Sequence, residues 1–212
     1  TRARLEAPLA IMLDTRGPEI RLGTFKDGKI FVEDGQDFDL TTDTVEGNEK
    51  IVSVSYRDLP KELKKDNSIL IDDGNIELKV VSTASNVVHC KVVRGGKISN
   101  RKSINIPSVA LNMPFMSEAD KSDLLFGVAN DVDFVAASFT RSKEDMISMR
   151  KFLDYNGGHD IKIIAKIENF EGVGNFSEIL KYADGIMVAR GDMGVEVDYY
   201  LLPGIQKRFI KE

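Results

Sequence analysis

The sequence predicts an α/β fold that carries an inserted all-β module. Two observations predict it: after Pro114 short apolar runs alternate with amphipathic helical segments, whereas residues 17–113 form short alternating runs broken by Gly-containing turns. The 212 residues are enough for one or two domains with a real core. We therefore expect one module from residues 1–16 and 114–212, and a second from the insert.

The α/β module contains four predicted strands. Residues 7–14 are almost continuously apolar and end in polar, Gly and Pro residues, which is typical of a strand buried on both faces of a parallel sheet. Three further apolar runs predict parallel strands at residues 132–137, 161–167 and 185–189. An all-β insert between a strand and the next helix is typical of the catalytic face of a barrel with eight strands. The sequence thus predicts a partial TIM (β/α)8 barrel with an inserted all-β domain.

Two helix starts show capping-box spacing, in which a serine precedes an acidic residue by three positions. Ser117 and Asp120 predict a helix that continues to about Asn130. Ser142 and Asp145 predict a second helix, which would carry three apolar side chains on one face: Met146, Met149 and Leu153. Such a face packs against a sheet.

The insert shows a hairpin signal and a cysteine. Residues 69–71 and 76–80 flank Asp72 and Asp73 as two strands flank a turn, so we interpret this aspartate pair as a turn and not as a metal site. Cys90 lies in an alternating run, and we expect it to pack inside the module.

Composition excludes several classes of function. The net charge of −5, with 42% hydrophobic residues, is unlike that of a disordered chain or a duplex-DNA-coating protein. One cysteine and two histidines leave oxygen ligands as the available metal chemistry. No apolar run approaches the roughly 18 residues of a membrane span, and the N-terminus lacks the apolar region of a signal peptide. We expect no nucleic-acid or membrane partner and a cytoplasmic location.

Lys166 and Glu168 are the first candidate site residues. Residues two apart in a strand point to the same face, so the two side chains should project together. They lie at the end of the predicted strand 161–167, where barrel enzymes keep their active sites. This spacing is compatible both with a structural salt bridge and with a catalytic cation–anion pair.

A second motif, residues 188–194, follows the next predicted strand and contains two glycines, which let backbone N–H groups approach an anion closely. Asp192 and Glu168 would offer two carboxylates from neighbouring strands. Carboxylates suit Mg²⁺, which keeps several waters and takes further ligands from substrate oxygens. A lysine beside them would neutralise the negative charge that develops in phosphoryl transfer or enolate formation.

A third motif leads from the first strand into the insert. Asp14 and Thr15 supply hard oxygen ligands, and Arg16 and Arg21 supply guanidinium groups that suit phosphate. Taken alone, this segment is better explained as a polar loop with a Gly–Pro turn.

The three motifs together resemble the pyruvate kinase family. The matching segments are Asp14–Arg21, Lys166–Asn169 and Met187–Glu196, in the order of that family and around a β insert of the expected size. The resemblance extends along almost the whole chain, including Lys102–Pro107 and Asp133–Phe139.

The resemblance implies a phosphotransferase that converts phosphoenolpyruvate and ADP into pyruvate and ATP, with Mg²⁺ or Mn²⁺ and K⁺ as cofactors. Lys166 would stabilise the transferring phosphoryl group. Glu168 and Asp192 would hold the divalent metal, and the backbone N–H groups of Gly191 and Asp192 would bind the substrate carboxylate.

The resemblance also implies sites for the nucleotide and for a monovalent cation. Arg21 and Lys102 match nucleotide-phosphate residues, and the inserted module would be a β-barrel lid. Asp14 and Thr15 match K⁺ ligands, and a glutamate at the position of Glu19 goes with K⁺ dependence in this family.

We expect the chain to be a piece of a longer protein, because it does not begin with Met and residues 199–212 predict a helix without a C-cap. The resemblance places its start at the third barrel strand and its end near the sixth. Two barrel strands on either side and a C-terminal regulatory domain would then lie outside it. We expect this fragment to be inactive alone, and the parent enzyme to be a homotetramer.

Three alternatives stay open. A phosphoenolpyruvate-related aldolase or lyase would use the same metal pair, although Arg21 and Lys102 suit a nucleotide better than an aldehyde. An adhesion module could present Arg190–Asp192, but that needs an exposed loop in a secreted protein. The insert could be a separate binding domain, although it contains no tryptophan to serve as an aromatic platform.

Overall fold

The computed structural model describes residues 8–212, which divide into two compact units. We call them the α/β unit and the β unit. The α/β unit contains the chain up to Pro18, Met113–Met193 and Tyr200–Glu212. The β unit contains Glu19–Asn112 and also Gly194–Tyr199, a short segment far along the chain. Asn105 Nδ2 donates a hydrogen bond of 3.0 Å to Glu196 Oε1 and so ties that segment to the rest of the β unit.

The strands and helices are numbered here in chain order. The strands are β1 (Met12–Asp14), β2 (Ile20–Arg21), β3 (Lys29–Val32), β4 (Asp37–Thr41), β5 (Ile51–Ser53), β6 (Ser68–Ile71), β7 (Ile76–Thr83), β8 (Val87–Arg94), β9 (Gly96–Ser99), β10 (Ser103–Asn105), β11 (Phe134–Ala137), β12 (Lys162–Ile167) and β13 (Gly185–Val188). The helices are α1 (Leu59–Glu62), α2 (Glu118–Ala129), α3 (Lys143–Tyr155), α4 (Phe170–Gly174), α5 (Phe176–Leu180), α6 (Arg190–Glu196) and α7 (Leu202–Lys211).

The α/β unit is built on a parallel sheet in the order β1-β11-β12-β13. Its register pairs Asp14 with Ala136, Ala137 with Ala165, and Ile167 with Val188. Because all strands run in one direction, their carboxyl ends meet at one edge of the sheet. This mixed α/β architecture, with a parallel sheet and a separate β unit, confirms the predicted fold class, a partial TIM barrel with an inserted β domain.

The first strand differs from the prediction. It spans Met12–Asp14 and not residues 7–14, and Ala7 lies outside the described residues. Leu9 and Met12 are 52% and 46% exposed, so this segment is not buried on both faces. The physical reason is its edge position, since β1 has one neighbour, β11, in the described sheet.

The predicted helix starts are confirmed. The Ser117 hydroxyl accepts from Asp120 N–H while the Asp120 carboxylate accepts from Ser117 N–H, which is the reciprocal capping box. Ser142 and Asp145 form the same box at the start of α3, whose predicted apolar face is buried. The segment predicted as a final helix begins with a 3₁₀ turn, Tyr199–Leu201, and continues as α7. In residues 8–212, no helix is long and apolar enough to cross a membrane.

The β unit contains a seven-stranded sheet in the order β2-β10-β6-β7-β8-β4-β5 and a separate pair, β3-β9. The predicted hairpin is confirmed, because β6 and β7 are antiparallel and Ile71 pairs with Ile76. Asp72 and Asp73 form its turn with φ of 56° and 55°. These left-handed conformations are tolerated by aspartate better than by most side chains.

Cys90 is 2% exposed in β8, as its alternating pattern predicts. Burial, with a smaller contribution from the nearby Asp39 charge, raises the pKa of its thiol to about 12.

We predict that the Cys90 thiol of the native protein does not react with a thiol reagent such as DTNB. The reaction rate should stay low from pH 7 to pH 9 because no thiolate forms. In guanidinium chloride one thiol per chain should react. Equal rates in native and unfolded protein would contradict this burial.

Gly172 lies in helix α4, where the helix packs closely against the backbone of Thr140. A Cβ at this position would lie 2.5 Å from the Thr140 carbonyl oxygen, whereas a Cβ at Gly174 in the same helix would meet nothing within 4 Å. We predict that Gly172→Ala lowers the free energy of unfolding by about 1–3 kcal/mol. The matched variant Gly174→Ala should be neutral or stabilise by up to about 1 kcal/mol. Urea unfolding of both variants measures the difference, and equal stabilities would contradict the close approach.

Candidate active site

The predicted site residues of the α/β unit lie at the carboxyl ends of its parallel strands. Asp14 ends β1, Lys166 is the penultimate residue of β12, and Glu168 directly follows that strand. Asp192 is in the first turn of α6, four residues beyond the end of β13. Parallel pairing therefore brings together the side chains of Asp14 and Lys166, which are 152 positions apart in the sequence.

Lys166 is the centre of this cluster. Its Nζ lies 3.2 Å from Glu168 Oε1 and 3.0 Å from Asp14 Oδ1. The same ammonium donates a hydrogen bond of 2.8 Å to the Ser138 hydroxyl. The lysine side chain is 13% exposed, so these contacts are made largely out of water. The cation and anion predicted at this strand end are thus in direct contact.

Glu168 is a buried carboxylate, 2% exposed, with both oxygens in use. Oε1 faces Lys166, and Oε2 accepts a hydrogen bond of 2.6 Å from the Phe139 backbone N–H. Burying a charge is costly unless it is paired and hydrogen-bonded. The lysine and the backbone amide supply that compensation.

The pKa values of this pair show how strongly burial and charge compete. Burial raises the pKa of Glu168 above its usual value, against the Phe139 N–H and Lys166, and the Asp192 charge raises it further. Burial by itself would lower the pKa of Lys166, but the charges of Glu168 and Asp14 outweigh it and raise that pKa. Lys166 is therefore a firmly protonated ammonium in contact with two carboxylates, those of Glu168 and Asp14.

The segment Arg190–Asp192 forms the first turn of α6. The first N–H groups of a helix have no intrahelical acceptor, so those of Gly191 and Asp192 are available to an anion. A Cβ at Gly191 would meet nothing within 4 Å, so this part of the turn is open. The Arg-Gly-Asp tripeptide is thus part of a helix and not the exposed loop that an adhesion module needs.

Asp14 and Thr15 differ in their environments. The Asp14 side chain is 61% exposed, and its Oδ1 accepts hydrogen bonds from Lys166 Nζ and from the Ser138 hydroxyl, the latter at 3.0 Å. Thr15 is 6% exposed; its hydroxyl donates to the Ala136 carbonyl at 3.2 Å and accepts from the Ser138 N–H at 3.1 Å. Asp14 can turn an oxygen towards a cation, whereas the Thr15 hydroxyl is largely committed to backbone groups.

Sequence reasoning did not assign roles to Ser138 and Phe139, which contact the predicted residues directly. Both follow β11, whose neighbours in the sheet carry Asp14 and Lys166. Their position after a predicted parallel strand could have marked them as site residues, since the carboxyl ends of parallel strands meet at one edge. Phe139 has φ of 55°, a left-handed conformation that is uncommon for an aromatic residue.

Arg21 and Lys102 both belong to the β unit: Arg21 pairs with Ser103 across β2 and β10, and Lys102 directly precedes β10. Each is already paired within that unit. Arg21 lies 2.7 Å from Glu19, and Lys102 Nζ lies 2.6 Å from Asp72 Oδ1. These exposed or half-exposed cations are positioned by neighbouring carboxylates, which a phosphate group would have to replace.

In the part of the chain from residue 8 onwards, no three His, Cys, Asp or Glu side chains form a ready metal cluster. The carboxylates of Glu168 and Asp192 are nevertheless close enough for the Asp192 charge to raise the pKa of Glu168. Mg²⁺ is typically held by one or two carboxylates together with water and substrate oxygens. The chemistry of this donor pair fits such an ion.

The fold and these side chains define a class, that of α/β-barrel proteins with a lysine and acidic side chains at the strand ends. Within that class, residues 1–212 match the family model "Pyruvate kinase, barrel domain". The chain belongs to this family. Proteins of this family generally depend on metal ions.

Curated relatives agree with the family match. The chain is 46% identical to pyruvate kinase from Clostridium acetobutylicum and 45% identical to that from Clostridium perfringens, in both cases over all of this chain and 45% of the relative. It is 44% identical to pyruvate kinase from Sporosarcina psychrophila over 96% of this chain and 35% of the relative. The chain thus spans about half the length, or less, of these relatives.

The Lys166–Glu168 pair should be important for stability. Lys166→Met would leave the Glu168 charge buried without its cation, so we predict a loss of about 3–5 kcal/mol in the free energy of unfolding. Lys162 is a matched control in the same strand, with a side chain that is 58% exposed and 3.4 Å from Asp184. Lys162→Met should cost no more than about 1 kcal/mol.

Denaturant titration of both variants measures this contrast. The double variant Lys166→Met/Glu168→Gln should recover most of the loss, because no charge is then left unpaired. A Lys166→Met protein as stable as Lys162→Met would show that Glu168 does not depend on the lysine.

Proposed function

We propose that the complete protein containing this chain is a pyruvate kinase, which transfers the phosphoryl group of phosphoenolpyruvate to ADP and forms pyruvate and ATP. The observation that carries the proposal is the Lys166 ammonium, held by Glu168 and Asp14 at the carboxyl edge of the sheet in a member of this family. An oriented positive charge at this edge suits a phosphoryl group whose negative charge must be stabilised during transfer.

Glu168 and Asp192 are the proposed ligands of the divalent ion, Mg²⁺ or Mn²⁺. The Asp192 charge raises the pKa of Glu168, so the two carboxylates repel each other, and a hard divalent cation suits such a pair. When bound, that ion would neutralise negative charge on substrate oxygens.

The substrate itself would contact two kinds of group from this chain. Lys166 would bind and orient the phosphoryl group, since its ammonium is firmly protonated and directed by its neighbours. The open N–H groups of Gly191 and Asp192 would bind the carboxylate of phosphoenolpyruvate. Binding at both ends would fix the substrate between the two strand ends.

Arg21 and Lys102 are the proposed residues for the nucleotide phosphates. Guanidinium and ammonium groups on adjacent strands suit a diphosphate, which would exchange with the carboxylates of Glu19 and Asp72. Asp14 is the proposed side-chain ligand for K⁺, together with Thr15, whose hydroxyl retains one lone pair. The lid role of the β unit, the cytoplasmic location and the homotetramer stay predictions from the family resemblance.

The proposal is tested on the complete protein with phosphoenolpyruvate, ADP, Mg²⁺ and K⁺. We predict formation of pyruvate and ATP, and a loss of about 10²-fold or more in kcat/KM for Glu168→Gln and for Asp192→Asn. Asp160→Asn, at an exposed aspartate outside the site, should retain full activity. Cleavage of a 2-oxo acid without nucleotide turnover would instead support the aldolase or lyase alternative.

Calorimetry with Mn²⁺ tests the metal ligands separately from turnover. Mn²⁺ should bind the wild-type protein more tightly in the presence of oxalate, a mimic of the enolate of pyruvate, and both carboxylate variants should lose this binding. Unchanged binding in Glu168→Gln and Asp192→Asn would refute the ligand assignment even if the protein were an active kinase.

A further inference from the structure

Ser138 has no role predicted from the sequence, yet it contacts three residues of the candidate site. It follows β11 and is 2% exposed. Its hydroxyl accepts a hydrogen bond of 2.8 Å from Lys166 Nζ and donates one of 3.0 Å to Asp14 Oδ1. Its backbone N–H donates to the Thr15 hydroxyl at 3.1 Å. One residue therefore joins the lysine to both proposed K⁺ ligands.

The Ser138 hydroxyl completes the shell around the lysine. An ammonium has three N–H donors, and Lys166 directs them towards Glu168, Asp14 and Ser138 at 3.2, 3.0 and 2.8 Å. A lysine head on its flexible stem has no preferred direction of its own, so three partners fix its position where two would leave freedom.

The third partner is neutral, which matters for a lysine that has to attract an anion. A further carboxylate at this position would hold Lys166 equally well but would cancel its charge against a phosphoryl group. A hydroxyl orients the ammonium without adding negative charge. Because it also donates to Asp14, it holds that carboxylate in contact with the lysine as well.

The backbone of residues 138–140 cannot easily shift to compensate for a lost hydroxyl. The Thr140 N–H donates to the Lys166 carbonyl at 3.2 Å, and the Phe139 N–H donates to Glu168. On the other side, Gly17 approaches so closely that a Cβ there would lie 2.6 Å from the Ser138 carbonyl oxygen. This turn is therefore fixed to the ends of both neighbouring strands, β1 and β12.

From this geometry we propose that Ser138 is a positioning residue: it sets the place of the Lys166 ammonium at which the phosphoryl group is stabilised. The inference rests on the proposed function, because its consequence is a change in phosphoryl transfer. It assigns a role to a buried serine that the family resemblance left without one. A purely structural serine would affect stability and leave turnover by the folded protein unchanged.

The test uses Ser138→Ala in the complete protein, assayed with phosphoenolpyruvate and ADP. We expect kcat to fall between about tenfold and a hundredfold, which is the range for one hydrogen bond to a charged group, with the KM for ADP unchanged. Ser138→Thr retains the hydroxyl and should keep more of the activity. Ser148→Ala is the matched control, because Ser148 donates at 2.8 Å to a helix carbonyl in α3 outside the site.

A crystal structure of Ser138→Ala supplies a readout that does not depend on turnover. We expect Lys166 Nζ to leave its contact with Asp14 or to occupy more than one position. An unchanged kcat in the folded variant would overturn the proposal, and so would a lower kcat with Nζ in its original place. If the wild-type protein formed no pyruvate, the proposed function would fail, whereas the position of Nζ would still decide whether Ser138 orients the lysine.

Discussion

The burial of the Glu168 carboxylate constrains the rest of the site. A charge that is 2% exposed is stable only with partners for both oxygens, and the protein supplies a lysine for one and a backbone amide for the other. The lysine lies two residues earlier, near the end of β12. The amide belongs to Phe139 in the turn after β11, a residue with a left-handed backbone conformation.

Because of this constraint, the site depends on contacts between the ends of neighbouring strands. The turn at residues 138–140 bonds to Thr15 on one side and to Lys166 and Glu168 on the other, so the ends of β1, β11 and β12 hold one another in place. Parallel strands give this arrangement directly, because their carboxyl ends lie at one edge. Polar chemistry at that edge is compatible with an apolar sheet below it, where Val135, Ala136, Ala137 and Ala165 are fully buried.

Much of this architecture could be predicted from sequence because the signals are local. Capping boxes, the last three apolar runs and the Asp72–Asp73 turn depend on spacings of a few residues, and each appears where it was predicted. The exposure of β1 could not be predicted, since an apolar run does not reveal how many neighbours its strand has.

The site was predictable only in part. Lys166 and Glu168 share a strand face by the two-residue period, so their contact follows from sequence. The roles of Ser138 and Phe139 depend on sheet order and on a backbone conformation, which no spacing encodes. The inclusion of Gly194–Tyr199 in the β unit is likewise a tertiary contact, made by side chains such as Asn105.

The pairing of β2 with β10 has a consequence for how the chain folds. It brings together Ile20 and Ile104, near the two ends of the insert. Before this pairing forms, joining β1 to β11 means closing a loop across the 121 positions that separate Thr15 from Ala136. Once the insert has folded, the effective loop is several times shorter, which lowers the entropic cost of closure by about 1 kcal/mol. A folded insert thus keeps the chain segments before and after it close together, and its early folding would speed assembly of the parallel sheet.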